Sequence, residues 1–351
     1  MAISYRENFF RTVKFQNPEY LITDIVFIKS MWTVYKKELE DVVLRHPTVF
    51  PGYVEGSVDF DDISFSYDEI DDNISTDAWG CKWHYPLKYM DGIVIGSPIP
   101  DMRRFGEYKR PASLVPALTD EQWDDEILRV NAEKRDGKIV RGGTEHGVLF
   151  LRHTYLRGFE NAMEDYALYP ENVRAIYDML IGLNMELVEY NIRRGTDFMM
   201  FADDLGTQTA SILSPQMFRK YLKPAYAKLM APCKRNGILV GLHSDGYTLD
   251  ILIDQIEAGV DVVNPQDLCN GIDNLQKMIK GKACIMLDID RQKIIPYGTR
   301  KDIDDLIHEE IYKLGSPAGG LMLVCGLYPP TPPENVDALA TAIEKYRDMW
   351  F

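Results

Sequence analysis

No apolar run in this chain of 351 residues reaches the length of a membrane span, so a membrane-embedded protein is not expected. The opening Met1-Ala2-Ile3-Ser4-Tyr5-Arg6-Glu7 lacks the basic-then-apolar profile of a signal peptide, which points to the cytoplasm. Cysteine is scarce. Five of them, an odd number in a long chain, fit a reducing compartment better than a disulfide framework. Positive charge is in deficit: 39 Lys and Arg stand against 54 Asp and Glu, a net charge of −15. That argues against nucleic acid as a partner, because its binders need a basic patch; solubility is the plainer consequence. There is no low-complexity tract or long repeat. No glycine-rich phosphate loop follows an early strand, which weakens the case for an open doubly wound sheet.

What is present is a repeated local pattern. Apolar residues make up 46% of the chain, ample for a large core. In the second half, a helix ends in glycine, a short apolar strand follows, and the strand stops on polar residues. The strands are Asp197–Ala202, Ile238–Leu242, Val260–Val263, Ala283–Leu287 and Leu321–Val324. Their ends deliver Asp203-Asp204, His243-Ser244-Asp245, Asn264, Asp288-Ile289-Asp290 and Cys325. In a parallel barrel all such ends share one face, and that face carries the chemistry. The alternation predicts the α/β class, a (β/α)8 TIM barrel with an N-terminal helical elaboration covering its mouth. The length permits two domains, but a single domain is expected, with residues 1–75 as the elaboration and 76–351 as the barrel.

Along the chain, Phe9, Phe10, Val13, Phe27, Met31, Trp32 and Tyr35 fall at helical spacing and predict helices to about Leu44. Asp59 to Asp72 reads as one surface helix or loop. Gly92–Gly96 is strand-like, and Ser97-Pro98-Ile99-Pro100-Asp101 is a turn. Tyr108 to Asp120 is punctuated by proline and expected to be irregular. Val148–Leu151 reads as a strand ending at Arg152-His153-Thr154-Tyr155, with helices following at Gly158–Leu168 and Pro170–Arg194. Ser214-Pro215 places a cap before a proline, and Thr331-Pro332-Pro333-Glu334 matches a capping box. Gly195, Gly237, Gly259 and Gly281 stand where left-handed C-caps belong.

Several of these segments resemble uroporphyrinogen-decarboxylase-like proteins. Asp77-Ala78-Trp79-Gly80-Cys81-Lys82-Trp83, with the later Ser97-Pro98-Ile99-Pro100-Asp101, is similar to an early conserved segment of that superfamily. So are Leu156-Arg157-Gly158-Phe159-Glu160-Asn161 and the block from Asp203-Asp204-Leu205-Gly206-Thr207-Gln208 through Ser214-Pro215 and Phe218 to Tyr221-Leu222-Lys223-Pro224. Gly326 to Val336 resembles its final loop and helix. The resemblance runs from about residue 75 to the C-terminus and implies one of two branches. Decarboxylases proper carry an Arg-Gln-Ala-Gly-Arg-Tyr-type segment for a polyanionic tetrapyrrole. None exists here, and Arg103-Arg104 sits in a different context. The other branch is the corrinoid-dependent methyltransferases, many of which hold zinc through His-x-Cys and a distant Cys. This chain has His243-x-Asp245 and Cys325, with a carboxylate in place of the middle thiolate.

His243, Asp245 and Cys325 are therefore a candidate zinc set with a fourth position for substrate; the alternatives are a hydrogen-bonding histidine and a buried cysteine. A carboxylate leaves the ion more Lewis-acidic, which suits an oxygen leaving group. One of Asp203 and Asp204 is expected to point into the site, orienting a donor or acting as general acid, where capping alone is the alternative. Together with His243 they are the candidate catalytic residues. Asp288 and Asp290 share a side of their strand and are either candidates to orient His243, with Asp288 also a candidate substrate contact, or carboxylates that merely solvate the surface. Asn264 either touches substrate or forms a turn. Trp79, Trp83, Tyr85 and Tyr155 are candidate walls of a pocket for a flat apolar ligand, or ordinary core.

The expected activity is transfer of a methyl group from a small O-methylated substrate, an aryl methyl ether in preference to methanol, to Co(I) of a partner. The usual corrinoid motif Asp-x-His-x-x-Gly is not found in the sequence. The corrinoid (cobalamin) cofactor is accordingly expected on a separate protein, with zinc as a second candidate cofactor. A homodimer is the candidate assembly. A metal-free decarboxylase or lyase centred on Asp203 and Asp204, and a non-catalytic tetrapyrrole-binding protein, are the alternatives.

Overall fold

A computed structural model describes residues 3–63, 73–86 and 92–351 of the chain. In chain order its strands are β1 (Ile22–Phe27), β2 (Ile74–Thr76), β3 (Lys82–His84), β4 (Ile93–Gly96), β5 (Arg141–His146), β6 (Phe198–Ala202), β7 (Leu239–His243), β8 (Val262–Asn264), β9 (Cys284–Asp288) and β10 (Leu321–Leu327). Seven of these make the parallel sheet of an α/β fold of the TIM-barrel type, with helices following the strands. The other three, β2, β3 and β4, form a small antiparallel sheet.

The chain divides into two compact units. The first comprises Met1–Ser66 and Val263–Phe351. There β1, β10 and β9 pair in parallel, with Ile22 opposite Met322 and Leu321 opposite Ile285. The opening segment expected to be helical does contain helices Tyr5–Lys14 and Lys29–Arg45, but β1 lies between them. Its six residues are too few to break a helical period read across Phe9 to Tyr35, and only pairing to β10 distinguishes them. Ser4 and Thr299 cap helices in this unit, the latter in a capping box with Asp302. The box expected at Thr331 does not form. Pro332 takes the cap position of helix Pro333–Tyr346 and has no side-chain donor or acceptor to offer. The acidic, aromatic stretch that begins at Asp59 lies outside the described residues beyond position 63.

The second unit is Tyr67–Val262. Its strands β5, β6 and β7 are parallel and adjacent. Helix Pro170–Arg194 buries Val173, Ile176, Tyr177, Leu180 and Ile181 at helical spacing and ends on Gly195 at φ 84°. Ser214 accepts a hydrogen bond from the Met217 N–H ahead of Pro215, as a cap should. One expected strand is displaced. Val148 and Leu149 form a bend, Phe150 and Leu151 already belong to helix Phe150–Arg157, and the strand lies upstream at Arg141–His146. Its sequence, Arg-Gly-Gly-Thr-Glu-His, carries no apolar residue, so no period-two signal marks it.

Candidate active site

The site begins with strand register. Ala202 at the end of β6 is paired with His146 of β5 on one side and His243 of β7 on the other. A bulge sets this up. Gly143 pairs with Met200 and His146 with Ala202, so three steps on β5 match two on β6. Regular pairing would put Glu145 opposite Ala202; the extra residue puts His146 there, the kind of re-aiming for which bulges recur beside active sites. Glu145 then accepts hydrogen bonds from Trp79 Nε1 at 2.8 Å and Arg152 at 3.1 Å.

The residue after Ala202 and the one after that take different roles. Asp203 is fully buried. It accepts the N–H groups of Leu149, Phe150 and Leu151 at 3.0, 2.7 and 2.8 Å and the Tyr226 hydroxyl at 2.7 Å. Those three N–H groups are the orphan donors that open helix Phe150–Arg157, so Asp203 caps a helix from a neighbouring strand. Burial pushes its carboxyl up to about 6 against these donors. Asp204 faces the histidines instead. Its Oδ1 lies 3.1 Å from His146 Nε2, 3.8 Å from His243 Nε2 and 3.1 Å from the Asp245 N–H that donates to it. The two aspartates therefore do not form a joint centre.

Asp245 Oδ1 is 3.4 Å from His243 Nε2, and the imidazole rings of His146 and His243 are 5.8 Å apart between centroids. The Asp204 hydrogen bond raises the pKa of His146. Burial works against the charge of Asp204, yet the His146 bond and the Asp245 N–H hold its carboxyl below the usual range.

Two loops are locked together to hold these groups. A Cβ on Gly206 would sit 2.6 Å from the Tyr247 backbone, and one on Gly246 would sit 2.5 Å from the Gly206 backbone. Only glycine allows that approach. The Tyr247 N–H donates to the Thr207 carbonyl at 2.7 Å and the Leu205 N–H to Ser244 Oγ at 2.9 Å, which fixes the chain after Asp204 to the chain around Asp245.

The aromatic candidates are only partly open. Trp79 is buried under the Arg152 guanidinium, 4.8 Å from its ring, and its backbone N–H is held by Asp77. Trp83 donates Nε1 to Asp77 at 2.9 Å and meets Tyr155 edge-on at 5.0 Å, both half-buried. Tyr85 is half-buried as well. Arg152 is committed by its terminal nitrogens to Asp77 and Glu145.

The remaining candidates belong to the first unit. Cys325 is fully buried, its Sγ 3.9 Å from the Ile289 carbonyl, and burial with Asp288 nearby pushes its thiol well above the ordinary range. Asn264 donates to the Met286 carbonyl at 2.6 Å. Asp288 pairs with Arg291 at 3.3 Å. Asp290 accepts the N–H groups of Gln292, Lys293 and Ile294, a turn-capping role.

Among the described residues, His146, Asp204 and His243 are the group of three ligating side chains close enough to share an ion, with their ligand atoms within 4.8 Å of one another. Two imidazoles and one carboxylate fit zinc as a three-ligand set. The sequence offers His243 as a candidate ligand, with Asp245 and Cys325; it does not single out His146. Yet Gly137, at φ 75°, ends helix Asp120–Arg135 and its cap ahead of Lys138-Ile139-Val140. That is a further instance of the glycine-then-strand pattern, and its strand ends on His146.

The family model for uroporphyrinogen decarboxylase (URO-D) matches residues 80–346. No curated protein is similar enough to match. Among solved structures, a methyltransferase from Methanosarcina mazei aligns with a TM-score of 0.65 at 15% identity, covering 98% of this chain and 99% of that one. A B12-independent methionine synthase from Shewanella sp. W3-18-1 aligns at 0.41 and 10% identity over 67% of this chain and 66% of that one. At 15% identity the Methanosarcina mazei likeness speaks for the fold alone. No described helix is long and apolar enough to cross a membrane. With most of its length matched by the family model, the chain belongs to the uroporphyrinogen decarboxylase family.

Proposed function

We propose that the protein is a methyltransferase that takes the methyl group of a small O-methylated substrate, an aryl methyl ether above all, and passes it to Co(I) of a separate corrinoid protein. The observation that carries this reading is the convergence of His146, Asp204 and His243 on the C-terminal ends of β5, β6 and β7. Family membership is compatible with it. The reading is also favoured by what Arg152 does: it is spent on Asp77 and Glu145, away from recognition of a polyanion.

In the transfer the C–O bond breaks, its electron pair stays on oxygen, a carbon–cobalt bond forms, and the alcohol product takes up one proton. An alkoxide or phenolate leaves poorly until its charge is met. A zinc ion held by His146, Asp204 and His243 would supply a Lewis acid at that oxygen. The chain's own residues do the positioning. Asp204 lies against both imidazoles, Asp245 lies against that of His243, and the glycine-locked loops keep both carboxylates in place. Asp245, more exposed than Asp204, is placed to pass the product its proton from solvent. Trp83 and Tyr155 offer flat surface to an aryl substrate.

The test is optical. The purified protein is mixed with a Co(I) corrinoid protein and methoxyaromatics, methanol, methylamines or methylthiols. Loss of the Co(I) band with growth of methyl-Co(III), selective for methoxyaromatics, is expected. No change with any donor, given an active corrinoid partner, would overturn the reading.

A further inference from the structure

The second unit carries a cavity of about 250 Å³ that shares no residue with the histidine cluster. It lies between helix Pro170–Arg194 and the segment running from Phe218 through helix Lys223–Arg235. Its floor is apolar: Val173, Tyr177, Ile181, Tyr221 and Ala225 are all buried. The hydroxyls of the floor tyrosines are engaged beneath it: that of Tyr177 bonds to that of Tyr166, and that of Tyr221 donates to the Tyr166 carbonyl at 3.3 Å. What they present is ring surface.

The rim is cationic. Arg174, Lys220 and Lys228 line it against a single acid, Asp178, in a chain whose acids outnumber its bases by 54 to 39. Among the described residues none of the three has a carboxylate within 4.0 Å, whereas Arg219, Lys223 and Lys234 on the same segment are each paired with an aspartate. The wall bearing Lys220 is also irregular. Pro224 has no N–H to continue the α-helical ladder, and the turn Phe218–Leu222 is π-helical, with the Lys223 N–H reaching the Phe218 carbonyl. Such turns are rare and recur at functional sites.

An apolar aromatic floor under an unneutralised cationic rim defines a ligand with an apolar body and one negative end. We propose that this cavity binds a small organic carboxylate of single-ring size, its body on the tyrosine floor and its charge among Arg174, Lys220 and Lys228. The volume falls just short of the usual range for drug-sized ligands, which sets that size limit.

Calorimetric titration of the full chain with benzoate, benzamide and inorganic phosphate tests this. Benzoate is expected to bind saturably, benzamide roughly tenfold or more weakly for want of charge, and phosphate not to displace benzoate for want of an apolar body. The double variant Arg174→Ala/Lys220→Ala, at two exposed positions, should weaken benzoate roughly tenfold while leaving thermal unfolding unchanged. His243→Ala should bind benzoate as the parent does. Absence of saturable binding, equal binding of benzamide, displacement by phosphate, an unaffected double variant, or loss of binding in His243→Ala would each overturn the proposal.

Discussion

His146 and His243 stand on the two strands that flank β6, each paired with the same residue, Ala202, and their rings come within 5.8 Å between centroids. Neither is near the other in sequence, and with Asp204 they make up the group of three side chains that could share an ion. His146→Ala and His243→Ala should therefore behave alike. Each is expected to lose bound zinc, read by metal analysis after dialysis, and to lose methyl transfer to Co(I), while far-ultraviolet circular dichroism stays as in the parent. A His146→Ala protein that keeps both zinc and activity would remove this residue from the site.

Asp203 and Asp204 are adjacent and should separate cleanly on substitution. Asp203→Asn removes a carboxylate from three helix N–H groups and a tyrosine hydroxyl, so it should cost roughly 1–3 kcal/mol of stability in a urea titration. Asp204→Asn should cost less stability than Asp203→Asn in the same titration, since its side chain is partly open to solvent, and abolish zinc binding. The reverse pattern would mean that the two roles had been exchanged.

The glycine contact between the loops after β6 and β7 predicts an effect at a distance from any ligand atom. Gly206→Ala forces a methyl group to within 2.6 Å of the Tyr247 backbone, so the loops must part and carry Asp204 and Asp245 with them. Weaker zinc binding and slower transfer are expected together. An alanine variant with parental zinc affinity would show that the loops do not set the site.

The first unit holds a buried acid pair that sets a pH dependence. Glu310 is fully buried with no donor to either oxygen, and it lies against Asp267, itself accepting the Leu268 and Asp290 N–H groups. Burial, then the Asp267 charge, raises Glu310 well above its ordinary 4.5; Asp290, Glu309 and Cys325 also face this cluster. The folded pair thus keeps a proton that the unfolded chain releases. Stability from this group is complete below the unfolded carboxyl pKa and falls as pH rises through the folded value, by about 1.4 kcal/mol per pH unit for one proton. Glu310→Gln replaces the shared proton with an amide donor and should flatten the decline in unfolding midpoint above about pH 5. An unchanged slope in that variant would assign the proton elsewhere.

Much of the frame is legible in the sequence. The strands ending at Asp203, His243, Asn264, Asp288 and Cys325 are where the glycine-then-apolar pattern puts them, within a residue or two except β10, which begins as expected and runs on to Leu327. The left-handed glycines at 195, 237, 259 and 281 all have positive φ. These features are written locally, in propensity, capping and hydrophobic spacing, and local information is what a single sequence exposes. β1 and β5 escape it because a strand lacking a clear alternation exists only through its partners.

The sequence alone determined the α/β class, the polar strand ends and the shortlist that contained Asp204, His243 and Asp245. Only the tertiary structure decided how those residues divide their work. A one-residue bulge in β5 turned His146 rather than Glu145 toward Ala202, and the N-terminus of helix Phe150–Arg157 claimed Asp203 and left Asp204 to the histidines. Cys325, a candidate ligand by resemblance, went into the packed interior of its own unit. The physical reason is the same in each case. Register, bulges and helix ends are settled by pairing with distant segments, and one residue of slip exchanges every side chain between faces.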